Sequence, residues 1–389
     1  MSPNQVMDDR VVLNFMKTYS FAFFLIGLSI LNLSTIRADH SPGVFGGGAG
    51  GPINTIPGTV LERRGVAMSY RYDFLDLKQF SDQQLLDFEN AGFDAHSTDT
   101  THVQFATLAY GVTDKLTLAI RQPYISQVNL REPDGFGGIE SLGSSSGFAD
   151  TQLFAFRRLI KNDARKFYVS GLFGFDVPTG RTNNVTNSGS LFETEHQPGS
   201  GSLDPIIGLN MTKNFKRFSS HTSVSRIFNT LGSQQTTLGG VFNYNTAIVY
   251  RLKGHSFCRK TDCASNFIRN RFGDSSVIPA SYHEGEDHSH SDSVAHSHEG
   301  GHDEDDHQHG PMIDLICEFN GIHQGKHDVA GDLNTSSGGQ LIYVSPGVRL
   351  TLFDHWATFL QGGLPIYQQV NGANHEVNYR LTLGTAYFY

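Results

Sequence analysis

The sequence predicts an all-β fold, a transmembrane antiparallel up-and-down β-barrel of about 12 strands. Amphipathic segments of strand length recur along the chain, and the connections between them alternate between short and long. After residue 38, no apolar run approaches the ~20 residues that a membrane-spanning helix needs. The 42 glycines, 29 phenylalanines and 14 tyrosines also suit a barrel with an aromatic outer surface. These observations exclude a helical membrane protein.

Residues 1–38 form a processing region in this interpretation. Met16-Lys17 precede the apolar stretch 18–33, and Ala38 follows soon after. The stretch is short and polar residues follow it at once, which is typical of a secretory signal peptide cut near Ala38, with Met16 as the expected start. A single membrane anchor is the alternative. We expect export to the outer membrane of a Gram-negative bacterium.

Residues 39–58 precede the barrel, which we assign to residues 59–389. Gly43–Gly51 reads GVFGGGAGG. Such a composition is typical of a flexible lead-in. The segment could equally fold into the barrel as a partial plug, and the sequence leaves both interpretations open.

Two predicted strands show the pattern most clearly. In 378–389, Tyr and Leu alternate with Asn, Arg, Thr, Gly and Ala, and residues 66–74 alternate likewise. Ten further segments of this kind lie at 101–110, 115–124, 148–158, 166–177, 203–211, 217–227, 238–251, 312–321, 339–352 and 356–367. An even number suits a closed barrel, since a bilayer tolerates no unpaired strand edge. A soluble β-sandwich would have shorter strands without aromatic ends.

The connections test this count. We number the connections between consecutive predicted strands from the N-terminus. The even-numbered connections are tight, at 111–114, 159–165, 212–216 and 353–355. The odd-numbered connections, such as 75–100, 125–147 and 178–202, are long and polar. Outer-membrane barrels keep their periplasmic turns short, so the even connections are predicted to be periplasmic. One even connection breaks the rule. Residues 253–311 form a long insertion there, which we expect to be disordered.

This insertion carries eight histidines and nine carboxylates between residues 283 and 309. Neutral imidazole binds Zn, Cu, Ni and Co ions, and neighbouring carboxylates raise the local cation concentration. The sequence therefore predicts metal binding there and no organic cofactor, with solvated filler as the alternative. The predicted ligands are His283, His288, His290, His296, His298, His302, His307 and His309.

The chain has three cysteines, too few for a disulfide scaffold. Cys258 and Cys263 could close a small disulfide loop in an oxidising compartment, or join a Cys/His metal site. The formal charge of −9 argues against nucleic acid as a partner.

The faces opposite the aromatic ones predict a charged lumen. Mixed charges favour a water-filled or plugged interior, but salt bridges that only brace the wall would give the same pattern. The predicted lumen residues are Arg71, Asp73, Arg121, Asp176, His221, Asp314, Glu318, Arg349 and Arg380.

The sequence contains no recognisable catalytic motif, so we expect no enzyme. Residues 76–96 could form a short helix in a loop, with Leu85, Leu86 and Phe88 on one side. His96, Ser97 and Asp99 cluster nearby, and we interpret them as ordinary loop residues rather than a catalytic group.

Four short motifs carry a resemblance. They are Gly147-Phe148-Ala149-Asp150, Asp176-Val177-Pro178-Thr179-Gly180, Gly201-Ser202-Leu203-Asp204-Pro205 and Val344-Ser345-Pro346-Gly347. Over roughly residues 60–389 the chain resembles the family of outer-membrane barrels named for the meta-pathway of phenol degradation. The resemblance implies a transporter-like barrel associated with aromatic compounds. The family pattern does not require a histidine-rich insertion, so the chain departs from it there.

Three hypotheses for function follow. The first is a channel for small solutes whose periplasmic insertion captures transition-metal ions for transport or gating. The second is a barrel for uptake of small hydrophobic or aromatic compounds, with an incidental histidine segment. The third is a membrane-anchored metal buffer. Expected partners are outer-membrane lipid, small solutes or metal ions, and a periplasmic protein at residues 253–311.

Overall fold

The computed structural model describes residues 51–254, 311–353 and 355–389. In chain order the strands are β1 (Val66–Leu77), β2 (Thr100–Thr113), β3 (Leu116–Pro133), β4 (Ile139–Phe148), β5 (Thr151–Asn162), β6 (Phe167–Val177), β7 (Asp204–Phe215), β8 (Phe218–Ile227), β9 (Thr236–Thr237), β10 (Val241–Lys253), β11 (Met312–Gln324), β12 (Asp328–Val329), β13 (Asp332–Leu333), β14 (Gly339–Leu352), β15 (Trp356–Val370) and β16 (Val377–Phe388). One α-helix, α1 (Asp82–Asn90), and two 3-10 turns (Thr194–His196 and Ser233–Gln235) are also present. No helix in these ranges is long and apolar enough to span a membrane.

Twelve of these strands form a closed antiparallel barrel, as predicted. The ring runs β1-β2-β3-β5-β6-β7-β8-β10-β11-β14-β15-β16 and closes where β16 pairs with β1. Ala67 lies opposite Phe388 and Asp73 opposite Thr382 at this seam. Closure pairs the edges of the first and last strands, which a barrel in a bilayer requires.

Side chains alternate between the two faces of the barrel wall. On β16, Leu381 and Leu383 are 43% and 44% exposed, whereas Thr382 between them is 1% exposed. The alternation follows from the two-residue repeat of a strand. Apolar side chains therefore cover the outer face and polar ones the inner face, as the sequence predicts.

The two ends of the barrel differ. Four tight turns lie at one end, here called the turn end, between β2 and β3, β5 and β6, β7 and β8, and β14 and β15. Lys166, Lys216 and Phe353 adopt positive φ angles in them. The opposite end, here called the loop end, carries the remaining connections except the one between β10 and β11, and most of them are long. The short and long connections alternate as predicted.

One strand at the loop end was not predicted. β3 continues to Pro133, past its last pairing with β2 at Val128, and it pairs with β4 from Tyr124 opposite Phe148 to Pro133 opposite Ile139. The prediction of a loop over 125–147 is therefore wrong. Residues 139–147 read IESLGSSSG. They lack the apolar alternation from which a strand is recognised in a sequence. Leu142 of this segment packs against Leu130 and Phe192.

Other loops pack beside this hairpin. Ser81 and Gln84 form a capping box at the start of α1, in which each side chain bonds the backbone N–H of the other residue. Leu85 of α1 is fully buried against Ala95 and Ala373. β9, β12 and β13 form a small separate sheet. The short helix proposed within residues 76–96 is thus present over Asp82–Asn90.

The long connection between β10 and β11 leaves and rejoins the barrel at the turn end. Lys253 pairs there with Ile313. The eight predicted metal-binding histidines, Cys258 and Cys263 lie outside the described residues, as does the signal region 1–38. Cys317 is described, and its thiol is exposed on the outer face.

Candidate functional site

Residues 51–62, here called the inner segment, cross the barrel interior. Ile53 and Leu61 are 0% and 1% exposed. The backbone N–H of Ile56 donates to Ser223 Oγ on β8 at 3.2 Å, and that of Leu61 donates to Thr117 Oγ1 on β3 at 2.8 Å. The segment therefore runs from one side of the ring to another.

Glu318 on β11 holds one end of the inner segment. Its carboxylate accepts hydrogen bonds from the backbone N–H groups of Ile53, Asn54 and Thr55 and from the Thr55 hydroxyl. Glu318 is 0% exposed. A buried carboxylate needs several donors to replace water, and three consecutive N–H groups supply them.

The sequence explains why the inner segment is irregular. Pro52 and Pro57 have no N–H to donate and disfavour both helix and strand pairing. Gly58 lies against the wall, where its N–H donates to Thr212 Oγ1 at 2.8 Å. A Cβ atom there would lie 2.5 Å from the Tyr168 carbonyl oxygen, so only glycine fits without displacement.

A buried ion group lies beside the start of the inner segment. Asp314 accepts from Arg251 Nε at 2.8 Å and from an Arg349 amino group at 2.6 Å. All three side chains are 0–1% exposed. Arg349 also donates to the Gly51 carbonyl oxygen, which ties this group to the inner segment.

A second polar group lies on the seam between β1 and β16. Arg71 pairs with Asp73, which also accepts from Thr382 Oγ1 at 2.7 Å. Arg380 donates to Asn320 Oδ1 at 3.0 Å and lies 4.5 Å from the ring centre of Tyr343. This group contacts the polar side chains that surround Glu318.

Aromatic rings also face the interior. The guanidinium of Arg121 lies 5.2 Å from the ring of Phe105 and 5.5 Å from that of Phe154. Arg71 lies 5.4 Å from Phe105. Cations stacked on rings are stabilised by the ring quadrupole. The interior is thus lined by paired charges and by rings with a guanidinium beside them.

The structure places the nine sequence-predicted lumen residues on the inner face but does not gather them into one site. Asp314 and Glu318 share β11, yet Asp314 pairs with Arg251 and Arg349, whereas Glu318 accepts hydrogen bonds from the inner segment. His221 lies apart, bonded to the hydroxyl groups of Thr212 at 2.9 Å and Ser219 at 2.7 Å. Arg251 was not among the predicted lumen residues. It lies on the inner face of β10 because it is two residues from Val249 and four from Ala247, which also point inward.

A second cluster lies among the loops at the loop end. We call it the His–Glu cluster and define it as His96, His196, His327, Glu132, Glu193 and Glu195. His96 precedes β2, Glu195 and His196 belong to a 3-10 turn between β6 and β7, and His327 follows β11. Segments far apart in the sequence therefore meet there.

The distances in the His–Glu cluster are short. His96 Nε2 lies 3.0 Å from Glu132 Oε2, and His327 Nδ1 lies 2.9 Å from Glu195 Oε2. Glu195 Oε1 lies 3.8 Å from His96 Nδ1 and 3.6 Å from His196 Nε2. The rings of His96 and His196 meet edge to face at 4.7 Å.

Burial and charge shift the pKa values of the two central histidines in opposite directions. Burial alone would lower the pKa of His96, but the hydrogen bond to Glu132 and nearby carboxylates outweigh it and raise the pKa to about 9. Burial, followed by the charge of His96, lowers the pKa of His196 to about 3. His196 is therefore neutral, and His96 is cationic near pH 7.

The two carboxyl groups also differ. Burial raises the pKa of Glu193 to about 7 despite the charge of His96. Burial would likewise raise the pKa of Glu195, but the hydrogen bond to His327 and electrostatic interactions with the neighbouring histidines, cationic His96 among them, lower it to about 2. Glu195 is therefore ionised near pH 7.

Sequence reasoning missed this cluster because it interpreted His96 and Ser97 as ordinary loop residues. His96 is 7% exposed and Ser97 is fully buried. Ser97 forms an isolated β-bridge with Arg131 on the extended β3. The signal in the sequence was a histidine beside acidic residues, but the other members of the cluster lie from tens of residues (Glu132) to more than two hundred residues (His327) further along the chain.

Comparisons with known proteins bear on the fold. No protein-family model matches the chain, and no curated protein matches its sequence. An outer-membrane channel from Pseudomonas putida F1 is similar in structure, with 12% identity, a TM-score of 0.50 and coverage of 92% of this chain and 100% of that one. The deltaS2S3 mutant of the TodX monoaromatic hydrocarbon channel gives 9% identity and a TM-score of 0.41, with 85% and 91% coverage. The first likeness establishes the barrel architecture of a bacterial outer-membrane protein.

Proposed function

We propose that the protein is a channel of the bacterial outer membrane for small solutes and that the inner segment controls the opening of its lumen. The observation that carries this proposal is the attachment of the inner segment. It crosses the interior through hydrogen bonds to side chains such as Glu318, Ser223 and Thr117, without pairing as a strand. Such contacts can be exchanged for water while the barrel wall stays intact.

The surfaces of the barrel support this assignment. Leucine, isoleucine and phenylalanine side chains on the outer face suit the hydrocarbon layer, and aromatic rings such as Trp356 and Tyr387 stand near the turn end. Short turns are periplasmic in outer-membrane barrels, so the turn end faces the periplasm. The loop end then faces the cell exterior.

The solutes proposed are small aromatic or hydrophobic compounds. Phe105, Phe154 and Tyr343 each face the interior beside a guanidinium group. A ring of similar size can stack on such side chains, and a hydroxyl group on it can accept a hydrogen bond from arginine. The sequence resemblance to the phenol-degradation family agrees with this class of solute.

Metal capture at the turn end is a second candidate function. It rests on the eight histidines between residues 283 and 309, and the positions of Lys253 and Met312 favour it, since both ends of the insertion join the barrel at the turn end. Protein lacking residues 283–309 should remain a heat-modifiable barrel. It should retain less zinc, copper or nickel at pH ~7.5 than the full chain, which releases the ions bound to the insertion at pH ~5.5. Equal metal content in the two proteins would reject this function.

Bilayer recordings and liposome uptake test the channel function. Deletion of residues 51–57 removes the crossing part of the inner segment and keeps the buried Val60 and Leu61. We expect this deletion to raise both the conductance and the uptake of phenol several-fold over the full chain. Uptake of glucose serves as the comparison for solute class. An unchanged conductance in the deletion variant would reject control by the inner segment.

A further inference from the structure

The His–Glu cluster has ligand atoms at metal-binding separation. Among the described residues, His96, Glu195 and His196 each offer one nitrogen or oxygen, and these three atoms lie within 4.8 Å of one another. Zinc bonds of 2.0–2.1 Å in a tetrahedron place ligand atoms ~3.4 Å apart. The distances of 3.6 and 3.8 Å from Glu195 Oε1 exceed this value by only a few tenths of an ångström.

The ring of His196 is set to accept an ion. His196 is 8% exposed, and its Nε2 has no hydrogen-bond partner among the described residues. Its Nδ1 lies 3.1 Å from Gln127 Oε1, which accepts a hydrogen bond and so fixes the proton on Nδ1. Nε2 therefore carries a lone pair directed at Glu195, and burial without a partner is unfavourable for such an atom.

Outer groups orient the other two ligands. Glu132 accepts a hydrogen bond from His96 Nε2 at 3.0 Å. The other ring nitrogen, His96 Nδ1, is therefore on the side of Glu195. His327 holds the Oε2 atom of Glu195 at 2.9 Å, and Gln324 Nε2 lies 3.1 Å from the other nitrogen of His327. Carboxylates and donors that fix metal ligands from behind are a regular feature of metal sites.

Charge and ligand chemistry indicate which kind of ion the cluster would bind. Asp94 and Glu193 each lie 3.8 Å from His96, so several carboxylates surround the position between the rings. A cation is favourable there. Two imidazole nitrogens and one carboxylate suit Zn²⁺ and neighbouring transition metals, whereas Mg²⁺ and Ca²⁺ prefer oxygen ligands only.

We propose that His96 Nδ1, His196 Nε2 and Glu195 Oε1 bind one transition-metal ion of the Zn²⁺ class at the loop end. Water completes the coordination, and the ion replaces the proton on His96. This ion joins the segment before β2 to the 3-10 turn between β6 and β7. It thereby stiffens the mouth of the barrel opposite the end that carries the histidine-rich insertion.

Hydrogen–deuterium exchange with and without Zn²⁺ tests the proposal. The method shows which segments of the chain zinc protects, so it distinguishes this site from the insertion. In the full-length protein, zinc at about 100 times its dissociation constant should slow exchange about tenfold or more in residues 94–99 and 193–197. His196→Ala and Glu195→Gln should each abolish this protection. His323→Ala is the matched control, since His323 is an exposed loop-end histidine outside the cluster.

A heat-modifiable gel shift shows that each variant still forms the barrel. If His196→Ala fails to fold, Glu195→Gln decides, because glutamine keeps a group opposite His327 and loses the anionic ligand. His327→Gln should weaken zinc binding by about 10–100-fold without abolishing it. The proposal is overturned by a wild type without zinc-dependent protection in these residues, by protection that persists in both ligand variants, or by protection lost in His323→Ala.

Discussion

The Glu318 carboxylate accepts hydrogen bonds of 3.1 and 3.0 Å from the backbone N–H of Asn54, a residue 264 positions earlier in the chain. This contact joins the inner segment to the wall strand β11. The same carboxylate also accepts hydrogen bonds from the backbone N–H groups of Ile53 and Thr55. Glu318 is therefore the principal attachment of the inner segment.

Glu318→Ala should release the inner segment. One hydrogen bond to a charged group contributes about 2 kcal/mol, so the loss of a single bond of this kind already raises the detached population roughly 30-fold. We expect more frequent opening in planar-bilayer recordings. Glu376→Gln is the control, because Glu376 pairs with Lys78 at the surface of the loop end. Similar recordings from both variants would contradict the role of Glu318.

Asp314→Asn should destabilise the barrel. It leaves Arg251 and Arg349 buried beside a neutral amide, and removal of one partner from a buried ion group costs about 3–5 kcal/mol. Chemical unfolding in detergent measures the change. Lys78→Ala breaks an exposed ion pair and should cost about 0–1 kcal/mol. If both substitutions cost the same, Asp314 does not neutralise the two arginines.

Gly58→Ala should displace the inner segment while the wall stays closed. The added Cβ would lie 2.5 Å from the Tyr168 carbonyl oxygen and 2.8 Å from Met211 Cα, both of which are backbone atoms of paired strands. We expect conductance to rise, as for Glu318→Ala. Gly362→Ala is the matched control, since a Cβ at Gly362 meets no atom of the described residues within 4 Å. A Gly58→Ala variant with wild-type conductance would place the controlling contact elsewhere.

Gly321→Ala should cost about 1–3 kcal/mol of stability through overpacking. The ring of Tyr244 lies over Gly321 on the outer face, and an added Cβ would lie 2.0 Å from Tyr244 Cε2. Tyr244→Ala in the same chain should remove most of that cost, which a double-mutant cycle of unfolding free energies measures. Additive costs would mean that the ring can move aside.

Local pattern was a good guide to the wall and a poor one to the loop end. Leu381, Thr382 and Leu383 alternate in the sequence as they do between the two faces. By contrast, the serine-rich segment of β4 has no alternation, although it pairs with the loop-end part of β3. His96 was interpreted as a loop residue because its partners, Glu132, Glu195 and His196, are distant in the sequence.

The sequence by itself determined the twelve strands, their inward and outward faces and the alternation of short and long connections. These features follow from a two-residue repeat and from turn length, which are local properties of a chain. Only the tertiary structure decided that residues 51–62 cross the interior to Glu318, that Arg251 joins Arg349 around Asp314, and that His96 meets His196. Those contacts depend on closure of the ring, which brings together residues whose separation in sequence carries no signal of their proximity.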